Sequence, residues 1–152
     1  MKRLTLFSII FFVCDLLIKI IINNTIKIYS VVNIIPNFFV ITNVRNIGAA
    51  FSILENNIIF LIVVSVVAIY LIYNFLIKQS NLSNYNIIAY SMLLGGIMGN
   101  LFDRVVYGYV IDYLSFNIFG YNFPVFNLAD ILIVVSVGLI ILKEIREVLC
   151  KR

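Results

Sequence analysis

The sequence predicts an all-α integral membrane protein, a four-transmembrane-helix bundle, and three observations carry that expectation. Of 152 residues, 63% are hydrophobic and only 12% are charged, a composition outside the range of ordinary soluble domains. Four apolar stretches, near 4–22, 58–77, 86–106 and 129–149, each approach the roughly 20 residues a helix needs to cross a hydrocarbon core of about 30 Å. Lys2, Arg3, Lys78, Lys143, Arg146, Lys151 and Arg152 lie at the N-terminus, between the second and third stretches, and at the C-terminus. Four crossings bring those three regions to one side, which the positive-inside rule makes cytoplasmic. Topology therefore accounts for the formal net charge of +4, and no nucleic-acid partner is expected. The length fits one domain, 1–152.

The first stretch begins with Lys2 and Arg3 and runs through FFVC at 11–14, superficially like a lipoprotein signal. Phe12 and Val13 are not small, and the apolar pattern continues to Ile22, so a retained helix is expected. It carries Asp15 and Lys19, four residues apart on one face. An ionisable side chain at a helix centre costs about 2.5–3.5 kcal/mol, and these two read as a mutually neutralising pair. The first outer loop contains YSVVNIIPNFFVITNV, rich in Val, Ile, Phe and Thr and broken by Pro36. One or two short strands at the membrane surface are expected there, because unpaired backbone has no partner in lipid.

The third stretch contains GGIMGNLFDR at 95–104. Gly95 and Gly99 form the small-xxx-small pattern that lets a second helix approach closely. Asn100 and Asp103 share a face, with Gly96 beneath them. Asp103 reads either as an ion pair with the following Arg104 or as a chemical group. The second outer loop, VIDYLSFNIFGYNFPVF, favours extended structure with a turn near Gly120 and Asn122. The fourth stretch opens with FNLAD. Asn127 suits an N-cap and Asp130 the third helical position, a capping box aided by a helix-dipole contribution of about 0.3–1 kcal/mol.

Cys14 and Cys150 fall at different depths, so no disulfide between them is expected. The chain has no histidine, which removes the commonest metal ligand and the commonest catalytic base. No metal site and no cofactor are expected.

Asp112 stands apart from the other acids. Between Ile111 and Tyr113 it caps no helix and has no basic neighbour in sequence. The third helix leads outward and the fourth returns, so Asp112 and Asp130 both reach the outer boundary. Two close carboxylates cannot both ionise cheaply: one keeps its proton and polarises a carbonyl, while the other draws a proton from water. Such a pair hydrolyses a peptide bond and titrates as a unit. A rival reading is a small proton-coupled transporter with Asp15, Asp103 and Asp130 as a relay, although only Asp15 is expected well away from the outer side. The loops show no internal repeat, which weakens it further. A third reading is an assembly subunit built on the glycine face, which leaves Asp112 unexplained.

NIGAAF at 46–51, GGIMGNLFDR at 95–104, VIDYL at 110–114 and FPVFNLAD at 123–130, preceded by the Asp15–Lys19 pair, together resemble lipoprotein signal peptidase, or signal peptidase II. The resemblance runs in order along the whole chain. It implies an aspartic endopeptidase of the bacterial inner membrane that cleaves diacylglyceryl-modified prolipoproteins N-terminal to the lipidated cysteine and is inhibited by globomycin. It also implies a four-helix bundle carrying a small extracytoplasmic β-cradle and a short outer helix, with 28–45 and GAAFSIL at 48–54 as the natural places for those parts. In this family's pattern Asp112 and Asp130 are the catalytic pair. Asn46, Asn100, Asp103, Arg104 and Asn127 are the polar shell, and Asp15 and Lys19 are structural or lipid-facing. Membrane lipid is an implied partner, and a monomer is expected.

Overall fold

The computed structural model describes residues 1–48, 57–78 and 82–150. Helix α1 (Lys2–Thr25) leads into strands β1 (Val31–Ile35) and β2 (Phe39–Asn46). Helix α2 (Ile58–Leu71) continues as a π-helical segment, Ile72–Ile77, and α3 (Asn84–Tyr107) follows. Strands β3 (Val110–Ile118) and β4 (Tyr121–Asn122) precede α4 (Leu128–Cys150). The predicted stretches thus recur as helices with ends shifted by a few residues. The expected short helix at 48–54 lies, beyond Gly48, outside the described residues.

Among the described residues, three helical stretches, Lys2–Thr25, Ile58–Ile77 and Asn84–Tyr107, are long and apolar enough to cross a membrane. The α4 helix differs in composition: its apolar run at 131–142 is followed by Lys143, Glu144, Arg146 and Glu147. The π-helical end of the second stretch shows in Lys78 N–H, which donates to the Tyr73 carbonyl five residues back at 2.9 Å.

Helix α3 is central and touches α1, α2 and α4. Its start is capped by Ser83, whose hydroxyl accepts from Asn86 N–H at 3.3 Å. It stops at Gly108, whose φ of +76° permits the left-handed turn that returns its N–H to the Arg104 carbonyl. The expected close approach at Gly95 and Gly99 is made by α1. A Cβ on Gly95 would lie 2.6 Å from Phe11 Cβ, and one on Gly99 would collide with the Asp15 carboxylate. Ser91 extends the same small-residue face and donates to the Leu4 carbonyl of α1 at 3.0 Å. Gly96 faces α4 instead, where an added Cβ would lie 2.6 Å from the Ala129 carbonyl oxygen. By contrast α2 buries only Leu61, leaving an apolar surface suited to lipid.

The extended loops form an antiparallel four-stranded sheet in the order β1-β2-β3-β4. Phe116 stacks on Phe39 and Phe126, with ring centroids 4.6 and 5.8 Å away. The predicted turn is a two-residue connection at Phe119 and Gly120, both at positive φ. Beneath the sheet, Ile22, Ile111 and Tyr113 form an apolar cluster that joins it to α1 and α4. Leu4, Ile77, Ile87 and Tyr90 form a second cluster elsewhere in the bundle. Cys14 and Cys150 are both free and exposed.

Candidate functional site

The sheet register delivers the first acid. Val44 of β2 lies opposite Asp112 of β3, so Asn46, two residues on and on the same face, is the diagonal neighbour of Asp112. Asn46 Nδ2 donates to Asp112 Oδ2 at 2.8 Å, and Asn46 Oδ1 accepts the Gly48 N–H at 2.9 Å. The chain after β4 then bridges back along β3. Phe126 N–H donates to the Leu114 carbonyl, and the Phe126 carbonyl accepts from Tyr113 and Leu114. That bridge sets Asn127 beside Asp112, with Asn127 Nδ2 donating to Asp112 Oδ1 at 2.6 Å. Asp112 is 2% exposed.

The second acid sits at the start of α4. Asn127 Oδ1 accepts the Asp130 N–H at 3.0 Å, and Asp130 Oδ2 accepts the Asn127 N–H at 3.1 Å, which is the expected reciprocal capping box. Tyr113 Oη accepts from Leu128 N–H at 3.1 Å, and Asp15 Oδ1 accepts from Ala129 N–H at 2.9 Å. The opening turn of α4 is therefore held by side chains from β3 and α1 as well as its own cap. Asn127 contacts both acids, one through its side-chain amide and the other through its backbone and side chain.

Below the pair lies a buried ion cluster. Lys19 Nζ meets Asp15 Oδ2 at 2.8 Å, Asp103 Oδ2 at 2.9 Å and Asn100 Oδ1 at 3.0 Å. Asp15, Lys19 and Asp103 are 0%, 1% and 0% exposed. Asp103 Oδ2 also accepts the Ile111 N–H at 3.1 Å and so ties the start of β3 to α3. Asn100 joins the cluster to the acids: its Nδ2 donates to Asp130 Oδ1 at 2.7 Å, and its Oδ1 also accepts from Asn127 Nδ2 at 3.1 Å.

The Asp15–Lys19 pair forms, and of its two expected readings, structural or lipid-facing, full burial favours the structural one, because the tight α1–α3 approach at Gly99 covers it. Asp15, expected well away from the outer side, reaches the helix that carries Asp130 and caps its first turn. Asp103 pairs with Lys19 rather than Arg104: adjacent helical residues project in different directions. Arg104 instead donates to the carbonyls of Gly48 at 3.2 Å and Asn100 at 3.4 Å, within electrostatic reach of Asp130 and Asp112.

Tyr113 was missed as a helix cap, although its place beside Asp112 in VIDYL was a signal. Asn43 was missed too: fully buried, it donates to the Ile26 carbonyl at the end of α1 at 2.8 Å. Its position follows from an irregularity in β2 between Ile41 and Val44, which no local pattern announces.

Burial and then the neighbouring Asp130 charge push Asp112 up to about 7; the amides of Asn46 and Asn127 and the Lys19 charge only partly oppose this. Burial likewise raises the Tyr113 phenol, keeping it neutral. The arrangement can hold one proton on a buried carboxyl beside a carboxylate at a helix N-terminus. Among the described residues, no group of three or more carboxylates and thiols is arranged to hold a metal ion.

A family model described as signal peptidase (SPase) II matches residues 7–146. Lipoprotein signal peptidases of Staphylococcus aureus are similar: that of strain MRSA252 is 37% identical, covering 95% of this chain and 86% of the relative. That of strain JH9 is 36% identical with the same coverage. Two solved bacterial membrane enzyme structures, obtained by the in meso method at 2.3 and 1.9 Å resolution, share the fold. The first has a TM-score of 0.91 and 34% identity, covering all of this chain and 93% of that one. The second has a TM-score of 0.83 and 36% identity, covering 94% and 92%.

Proposed function

From the premise that the chain belongs to the signal peptidase II family, membrane proteases that remove signal peptides from prolipoproteins, we propose that it does so as an aspartic endopeptidase using Asp112 and Asp130. The observation that carries the mechanism is the shared hold of Asn127 on both carboxyl groups. Asp112, buried and pushed up to about 7, keeps the proton and donates it in a hydrogen bond to the scissile carbonyl oxygen. Asp130, at the positive end of α4, is the base. It takes a proton from water as the water oxygen bonds to the carbonyl carbon. The tetrahedral intermediate then collapses: the C–N bond breaks, and the departing amine of the lipidated cysteine takes up a proton from the pair.

Asn46, Asn100 and Asn127 orient the acids, Asp103 anchors β3, and Arg104 supplies positive charge beside the pair. We further propose that 1–152 is one domain and works as a monomer. In this reading α4 is the fourth crossing, its charged final turns reaching the cytoplasmic surface, so both termini are cytoplasmic. The site then lies at the outer face of the inner membrane, under a sheet that cradles the diacylglyceryl-modified precursor among membrane lipid. Globomycin-type inhibitors would compete for the same place. The transporter reading has no support: a relay needs acids staged through the bilayer, whereas Asp15, Asp103 and Asp130 share one compact network around Lys19 and Asn100.

The test is cleavage of a diacylated precursor by purified protein. Asp112→Asn and Asp130→Asn are each expected to lower turnover at least about 100-fold while moving the unfolding midpoint by less than about 5 °C. Full activity in either folded variant would sink the pair. A chelator is expected to leave the wild-type rate unchanged, and inhibition would overturn a metal-free mechanism.

A further inference from the structure

We propose that Lys19 is a positioning residue for the acid pair: by donating to Asn100 it fixes that amide with its oxygen inward and its nitrogen on Asp130, holding Asp130 as a hydrogen-bond acceptor. This rests on the catalytic reading of Asp112 and Asp130 and assigns a role to a residue that touches neither.

The argument is a donor count. An ammonium has three N–H bonds and accepts nothing, and all three of Lys19 are committed, to Asp15, Asp103 and Asn100 Oδ1. A primary amide fits the same space either way round, so its orientation is set by its partners. Two donors converge on Asn100 Oδ1, Lys19 Nζ at 3.0 Å and Asn127 Nδ2 at 3.1 Å. Asn127 is itself locked, because its own oxygen accepts the Asp130 N–H. The Asn100 nitrogen is therefore directed to Asp130 Oδ1 at 2.7 Å, where it favours the carboxylate over the protonated acid. A reversed Asn100 would set N–H against N–H at Lys19 and offer Asp130 a carbonyl, which favours a proton there.

Stability alone is a weak reason for the arrangement. A buried ion cluster is often no more stabilising than well-packed apolar residues of the same volume. Among the described residues, the charged or titratable groups around the Asn100–Asp130 contact are Asp15 and Lys19 of α1, Asp103 and Arg104 of α3, and Asp112 and Tyr113 of β3. Of these, Lys19 is the cation bonded directly to the Asn100 amide.

The test is the pH profile of kcat/KM on a diacylated precursor, using full-length protein in detergent. Lys19→Gln replaces the obligate donor with an amide that can face either way. Asp15→Asn combined with Lys19→Gln does the same without changing the formal charge of the cluster, and guards against misfolding of the single variant. In a folded variant the acidic side of the profile is expected to move up by about one pH unit, so that the rate falls about tenfold at pH values well below the midpoint of that side and little above it, with KM changing less than about twofold. A purely structural role would reduce the yield of folded protein and leave the profile of what remains unmoved. An unmoved acidic side in a folded variant overturns the inference. Asp130→Asn measured in parallel separates the two claims: activity there sinks the pair itself, whereas its loss with an unmoved Lys19 profile sinks this inference alone.

Discussion

Asp112 shows how the surroundings of one side chain change its chemistry. A carboxyl group with an ordinary value of 3.8 is carried to about 7 by burial and by Asp130, despite two amide donors. The sign of the consequence follows from proton counting. Between about pH 4 and 7 the folded chain keeps a proton on Asp112 that the unfolded chain has lost, so stability declines as pH rises through that window and levels off above it. The stability of Asp112→Asn is expected to lack this decline, which thermal unfolding at a series of pH values would detect. Cleavage by the wild type is expected to fall as pH rises through about 7, because the proton proposed to polarise the scissile carbonyl is then lost. A rate still rising between pH 7 and 9 would contradict that assignment.

Among the elements, α3 does most to assemble the site. Its small residues, Ser91, Gly95 and Gly99, admit α1, while Gly96 admits the first turn of α4. The polar residues Asn100 and Asp103 follow directly, so the closest helix approach and the buried charges are adjacent. Gly99→Ala places a methyl group against the Asp15 carboxylate, which is held on its other sides by Lys19 and the Ala129 N–H. Either α1 moves away or the cluster breaks. The expected loss is about 1–3 kcal/mol, read as a fall of roughly 2–10 °C in unfolding midpoint in detergent. An unchanged midpoint would show that the packing at Gly99 is slack.

For the whole molecule, the distribution of charge and the proposed orientation make one statement. Lys78 ends the second helical stretch, and Tyr121 lies exposed in β4. With Cys14 and Cys150 replaced by serine, Tyr121→Cys is expected to react with a membrane-impermeant maleimide on intact spheroplasts. Lys78→Cys is expected to react only after lysis. The opposite pattern would reverse the orientation and move the acid pair to the cytoplasmic side.

By itself the sequence determined the helical stretches, the strand-forming loops, the glycine face, the Asn127–Asp130 cap and the family. Each is written in local composition, spacing or motif order, and the capping box formed as its three-residue spacing implied. It also singled out Asp112, because no local structural role explained an acid there. Tertiary structure decided the rest: Asp103 bonded to Lys19 and not to its neighbour Arg104, Asp15 capping a helix at the far end of the chain, and Asn100 standing between the ion cluster and Asp130. Those contacts depend on how each helix is rotated about its axis and how closely its neighbour approaches. Helical periodicity defines which residues share a face, but packing at Gly95, Gly96 and Gly99 chooses what that face meets.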